Sequence, residues 1–191
     1  MLFIDKTAKS KKTAMKYIAF LRGINVSGHH KVPMAELRKE LVKLGFTNVI
    51  TLLNSGNVIF ESNPKNEESM EQSIADHLEK VFGFQIPALI RNADDISELI
   101  NRNPFKNVEV TKNIRLYISF LKEKTSAEIS IPFSTKDGSF QILEIRDRTI
   151  VSVVYLTNTK TTKAMEILEK FFGKNITTRN WNTINRIVDK F

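Results

Sequence analysis

The 191-residue chain contains no cysteine. That excludes disulfides, thiolate metal sites and a cysteine nucleophile, and it fits a reducing, cytoplasmic setting. Long apolar runs are missing too: none approaches the roughly 18 residues of a membrane-spanning helix. The opening "MLFIDKTAKSKKTA" has too short an apolar stretch for a signal peptide, and its charges follow that stretch instead of preceding it. Acidic charge is in deficit, with 21 Asp and Glu against 29 Lys and Arg, a net +8. What remains is ordinary for a globular protein: 41% hydrophobic and 26% charged residues, in a chain long enough to bury a core.

The positive charge is uneven. Residues 1–16 carry five Lys and one Asp, and residues 148–191 carry eight basic and three acidic groups. The intervening stretch is close to neutral. Residues 1–14 therefore read as a basic arm, solvated and disordered, and an arm of this kind can also attract nucleic acid or anionic lipid.

Periodicity organises the rest. "KYIAFLR" (16–22) reads as a strand. "PMAELRKELVKLG" (33–45) has apolar residues at 34, 37, 41 and 44, a helical spacing that Pro33 opens and Gly45 closes. "NVITLL" (48–53) and "NVIFES" (57–62) are strands joined by the hairpin signal Asn54-Ser55-Gly56. A helix over 66–83 has Asn66 as N-cap and Gly83 at its end. "QIPALI" (85–90) is a short strand that Pro87 assigns to a sheet edge. The order β-α-β-β-α-β predicts an α/β plait, ferredoxin-like, over residues 15–92. A linker with a short helix capped by Asn92 and ending before Pro104 occupies 93–112.

Residues 113–191 echo the first half. "YIAFLR" (17–22) aligns with "YISFLK" (117–122), four of six positions being identical. A hairpin follows, over 139–145 and 149–156, then an amphipathic helix over 162–173, a strand over 175–179 and a helix over 180–191 capped by Asn180. The second half is expected to be a degenerate plait whose first helix lies around Lys124–Pro132, with an extra C-terminal helix. The fold class is thus α+β: two ferredoxin-like subdomains with antiparallel sheets.

This topology locates a candidate site. Strands one and three of a plait are adjacent and antiparallel, so the end of the first and the turn before the third share one sheet edge. The segment Arg22–Lys31 and the turn Asn54–Asn57 should meet there. The N-terminus of the first helix opens nearby, where free N–H groups favour an anion. Arg22 and Lys31 would add charge, Asn25, Ser55 and Asn57 would add donors, and Gly23 and Gly56 would allow close approach. The same residues also have plain structural uses, as backbone-permissive glycines and turn-capping amides.

Other motifs carry less. Gly23 and Gly28 have the spacing of P-loop glycines, but His29 and His30 stand where Lys and Ser or Thr are required. Those histidines, with only His77 elsewhere, lack a zinc-binding spacing. Glu67-Glu68 and Asp94-Asp95 lie at helix starts, where the helix dipole accounts for them. Neither a metal site nor a catalytic residue is expected, and no cofactor. An RNA-binding plait would stack bases on strand aromatics. Here Tyr17, Phe20 and Phe60 are the candidates, and they serve equally as packing between two sheets.

"YIAFLRGINVSG", "KVPMAELRKELVKLGFTNV", "SGNVIFES" and "TTRNWNTI" together resemble the bacterial domain-of-unknown-function family 1697, over about residues 15–190. The resemblance implies a cytoplasmic protein of two plait subdomains and no established activity, substrate or cofactor. Its signature falls on Arg22, Gly23, Asn25, Val26, Ser55, Gly56, Asn57, Thr178, Arg179, Asn180 and Trp181. The family commonly has two glycines where Ser27-Gly28 stands, and the histidine pair is outside its pattern. Arg179 and Asn180 can face the same cleft as Arg22 and Asn57, or Asn180 can cap a helix while Trp181 packs in the core. Three functions follow as expectations: a small anionic ligand in that cleft, RNA or DNA on the basic arm and C-terminal quarter, or an enzyme of unknown reaction at the same cleft. No membrane partner is expected, and the oligomeric state is left open.

Overall fold

The computed structural model describes residues 13–26, 28–125, 129–156 and 161–191. Most of the basic arm therefore lies outside the described residues, as does Ser27. Among the described residues no helix is long and apolar enough to cross a membrane.

The first half forms β1 (Met15–Leu21), α1 (Met34–Lys43), β2 (Thr47–Leu52), β3 (Asn57–Ser62), α2 (Glu67–Phe82) and β4 (Ala88–Asn92). Its antiparallel sheet has the order β2-β3-β1-β4, so β1 and β3 are neighbours as the plait reading requires. Pro87 lies just before the edge strand β4, which begins three residues later than the apolar run suggested. The helix signals work locally. The Asn66 side chain accepts from Ser69 N–H, and Gly83 ends α2 in the left-handed conformation.

After α3 (Ala93–Arg102) come β5 (Ile114–Leu121), β6 (Phe133–Ser134), β7 (Phe140–Arg146), β8 (Thr149–Tyr155), α4 (Thr161–Phe172), β9 (Ile176–Asn180) and α5 (Trp181–Val188). The second sheet has the order β6-β7-β8-β5-β9. Without β6 it repeats the first. The helix expected around 124–132 is a correction: residues 126–128 lie outside the described ones, and the described residues around them are not helical. The chain instead adds β6 to the edge at β7. Asp137 ties its tight return: the carboxylate accepts from the hydroxyls of Thr135 and Ser139 and from Ser139 N–H. Helix α5 also stops at Val188, and Phe191 beyond it is 37% exposed.

Strand alternation decides the layering. Tyr17, Ala19 and Leu21 face α1 and α2 in one core, whereas Ile18 and Phe20 face the other way. The second sheet divides likewise: Ile150 and Val154 join Leu168 of α4, while Val151 and Val153 turn toward the first sheet. The two sheets thus pack face to face over a shared core, flanked by α3 and α5. Phe20 and Phe120 stack at its centre with ring centroids 4.4 Å apart. The aromatics considered for RNA stacking are therefore spent on packing: Tyr17, Phe20 and Phe60 are each at most 3% exposed.

The halves are related more deeply than six residues of strand suggested. Ile18 pairs with Arg91 across β1 and β4, and Ile118 pairs with Arg179 across β5 and β9. An Arg-Asn dipeptide ends each fourth strand, and each Asn caps the helix that follows, Asn92 for α3 and Asn180 for α5. Each arginine crosses to the opposite half. Arg91 donates to the carbonyl of Leu121 and lies over the Phe120 ring, while Arg179 donates to the carbonyl of Leu21 and lies over Phe20.

Candidate functional site

The segment after β1 and the turn before β3 do meet. Leu21 N–H donates to Gly56 O at 2.8 Å, and the Asn25 amide donates to Asn54 O at 2.9 Å. Asn25 also donates to Val32 O and accepts from Val32 N–H, fastening the start of α1 to the same edge. Its amide is thereby committed to the scaffold. Asn57 is equally occupied. It is fully buried, donates to Leu52 O and the Ser55 hydroxyl, and accepts from Arg179 Nε at 2.6 Å.

A cleft of about 250 Å³ opens beside this junction, lined by Arg22, Gly23, Ser55, Glu169, Thr177 and Arg179 among others. Arg179 is its distinctive member. The guanidinium donates to Asn57 Oδ1, the Thr177 hydroxyl and the carbonyls of Leu21, Ser55 and Thr178. Every acceptor is neutral, and among the described residues no carboxylate pairs with this cation. Burial alone pushes it down to about 10, so it remains charged at neutral pH. Its counterpart Arg91 has Glu71 Oε1 at 3.9 Å.

Arg22 is held differently. Its Nη2 donates to Glu169 Oε1 at 2.8 Å, and the two side chains are 33% and 39% exposed. Lys31 is exposed and lies outside the cleft. Two residues expected here are directed elsewhere. Asn180 caps α5 by accepting from Asn182 N–H, and Trp181 packs edge-on against Phe105 at 5.2 Å. The strand explains this, because neighbours in β9 alternate faces and only Arg179 reaches across to the first half. His30 stacks on Phe84 with centroids 4.4 Å apart and its Nδ1 lies 3.1 Å from Gly23 O, which gives it a place in the loop scaffold. His77 lies 2.9 Å from Glu40, away from the cleft. Among the described residues, no group of three or more His, Asp or Glu is placed to hold a metal ion.

A second cavity of about 340 Å³ shares Arg22 and Ile176 with the first as walls. It carries Glu71, Asp76 and Glu79 of α2, with Lys122 opposite. Glu71 is 3% exposed; Oε1 accepts from Ile90 N–H, and Oε2 has no hydrogen-bond partner among the described residues. Desolvation pushes its pKa above 4.5, against the opposing pull of the Ile90 N–H and Arg91. A raised native pKa contributes stability in full below 4.5 and loses it as pH rises through the native value. Thermal unfolding of Glu71→Gln against the natural chain should therefore move in the variant's favour between about pH 4 and pH 8. A difference in melting temperature that does not vary with pH would contradict this.

Sequence reasoning did not single out Glu169, Glu71 or Arg91. The repeated Arg-Asn dipeptide would have flagged Arg91, whereas nothing local marks an α4 or α2 glutamate as facing the cleft.

Two antiparallel sheets packed across arginine-stapled edges define an α+β protein of two similar halves. A family profile described as "Protein of unknown function (DUF1697)" matches residues 15–150, and the chain belongs to that family. The conserved bacterial protein SP0830 from Streptococcus pneumoniae has a similar structure, with a TM-score of 0.72 over 93% of this chain and 98% of that one, at 24% identity. No curated protein matches the chain.

Proposed function

We propose that the protein binds a small anionic ligand, bearing a carboxylate or a phosphate, in the cleft between Arg22 and Arg179. One observation carries the reading: a buried arginine without a carboxylate partner among the described residues stands beside a cleft whose second arginine holds a half-exposed, replaceable glutamate. Arg179 supplies a fixed positive field, and its donors are already spent. Arg22 supplies the donors. An ion pair as exposed as Arg22–Glu169 is worth at most about 1 kcal/mol, so an entering anion can displace Glu169 at little cost. The guanidinium then offers a carboxylate or phosphate a two-pronged contact.

The nucleic-acid alternative has less support. Of the eight basic groups in 148–191, Arg148 is paired with Glu67 and Arg179 is buried. The enzyme alternative draws on Glu71, a buried carboxylate with a raised pKa in the adjoining cavity, but no reaction follows from it.

The test is titration calorimetry with inorganic phosphate and with acetate on the natural chain, Arg22→Ala and Glu169→Gln. Removing the resident carboxylate should tighten binding up to about fivefold, a change of roughly 1 kcal/mol. Arg22→Ala should abolish binding while leaving the fold intact. Heat of binding that is the same in all three proteins would move the site elsewhere, and no binding by any of them would end the proposal.

A further inference from the structure

The cleft that holds Arg22 also has an apolar wall. Val26 lines it and is 59% exposed. A lone exposed valine says little, since apolar atoms make up much of any protein surface. Three features set this one apart. The backbone fixes its loop: His29 N–H donates to Val26 O at 2.9 Å, and Asn25 N–H donates to His30 O at 3.0 Å. The half-buried Met165 of α4 lines the same cleft. Met165 also precedes Glu169 by four residues, which puts both side chains on one face of the helix, one turn apart. Ile24 and Leu168 line the cleft as well but are buried, so the apolar surface open to a ligand is chiefly that of Val26 and Met165. The group already on Arg22 indicates what its guanidinium accepts. Glu169 presents a carboxylate on a short aliphatic stem, bonded at 2.8 Å. Once displaced, Glu169 stays tethered to α4 beside the cleft. Arg22, Arg179 and Glu169 together still carry a single net positive charge, which suits a monoanion, and Glu169 would repel a phosphate dianion more strongly.

We infer that the ligand is an aliphatic monocarboxylate: its carboxylate replaces Glu169 on Arg22, and its hydrocarbon chain lies along α4 against Met165 and Val26. This rests on the anion reading above and narrows it. The charged head and the apolar body then occupy neighbouring stretches of one helix face, as the Glu169 and Met165 side chains do. A chain that touches protein on one side and water on the other gains about half of full burial, roughly twofold in affinity per methylene.

The experiment is calorimetry on the full chain with straight-chain carboxylates from acetate to hexanoate, with butyl phosphate and with hexan-1-ol. Affinity should rise about tenfold from acetate to hexanoate, and Arg22→Ala should abolish hexanoate binding. Val26→Ser, at an exposed position, and Met165→Gln, which keeps the side-chain length, should each cut that rise to about threefold. Pentanoate should bind more tightly than butyl phosphate, which carries the same hydrocarbon chain. Equal affinity for acetate and hexanoate would overturn the apolar contact and leave the anion site standing. An unchanged rise in both variants would place the chain elsewhere and overturn the inference. Tighter binding of butyl phosphate than of pentanoate would overturn the carboxylate head. Hexan-1-ol binding as well as hexanoate would reduce the effect to unspecific apolar adhesion and overturn it too. Failure of every probe would overturn both this inference and the anion reading.

Discussion

Arg179→Ala is expected to destabilise the protein by about 3–5 kcal/mol, a fall in melting temperature of roughly 6–20 °C for a chain of this size. Two effects oppose each other. Deleting the side chain relieves the desolvation of a buried cation, which is what depresses its pKa to about 10. It also strands the carbonyls of Leu21 and Ser55, Asn57 Oδ1 and the Thr177 hydroxyl. Each buried acceptor left without a donor costs about 1–3 kcal/mol, so the losses outweigh the relief. The cation also lies 5.5 Å from the Phe20 ring centroid, at the centre of the packing between the two sheets. Lysine restores the charge but neither the planar fork nor five donors, and Arg179→Lys should recover less than half of the loss. Arg22→Ala is the control: its pair is exposed, and its cost should stay within about 1 kcal/mol. Chemical unfolding of the three variants checks the order. Equal stability of Arg179→Ala and Arg22→Ala would mean that the crossing arginine does not fasten the halves.

Gly56→Ala should cost about 2–5 kcal/mol, and Gly23→Ala only about 1–2. Both glycines have φ of +74°, so both substitutions carry the left-handed penalty. They differ in what the new methyl meets. At Gly56 a Cβ would stand 2.8 Å from Leu21 Cβ and 2.8 Å from Ile24 Cδ1, whereas at Gly23 nothing lies within 4 Å. Ile24 can rotate away, but Leu21 Cβ is fixed to a strand whose N–H is bonded to Gly56 O, so the backbone must move. That movement would pull Ser55 O from Arg179 and open the junction on which the cleft depends. Urea midpoints separate the outcomes, and equal costs at the two positions would show that the close approach is not tight.

Much of this was legible without coordinates. Apolar spacing and the capping residues Asn66, Gly83, Asn92 and Asn180 located the five helices of the described residues to within a few positions, because those signals act within one turn of chain. The adjacency of the Arg22 segment and the Asn54–Asn57 turn followed from the expected plait, in which the first and third strands pair, as they do here. The family profile matches residues 15–150, which include "YIAFLRGINVSG" and "SGNVIFES" but not "TTRNWNTI". The helix expected around 124–132 rested on the analogy between the halves alone, because that segment carries no helical apolar spacing of its own, and its described residues are not helical.

Side-chain partnership was the part that only the tertiary structure decided. Nothing in "TTRNWNTI" says that Arg179 spans to Leu21 O while Asn180, one residue on, caps a helix. Nor does the sequence place Glu169 on Arg22 or set the Glu71 carboxylate against Ile90 N–H. Local order depends on backbone geometry within a few residues, which the residue pattern encodes directly. A buried charge depends on what folding brings to it from more than a hundred residues away, and only the packed sheets determine that.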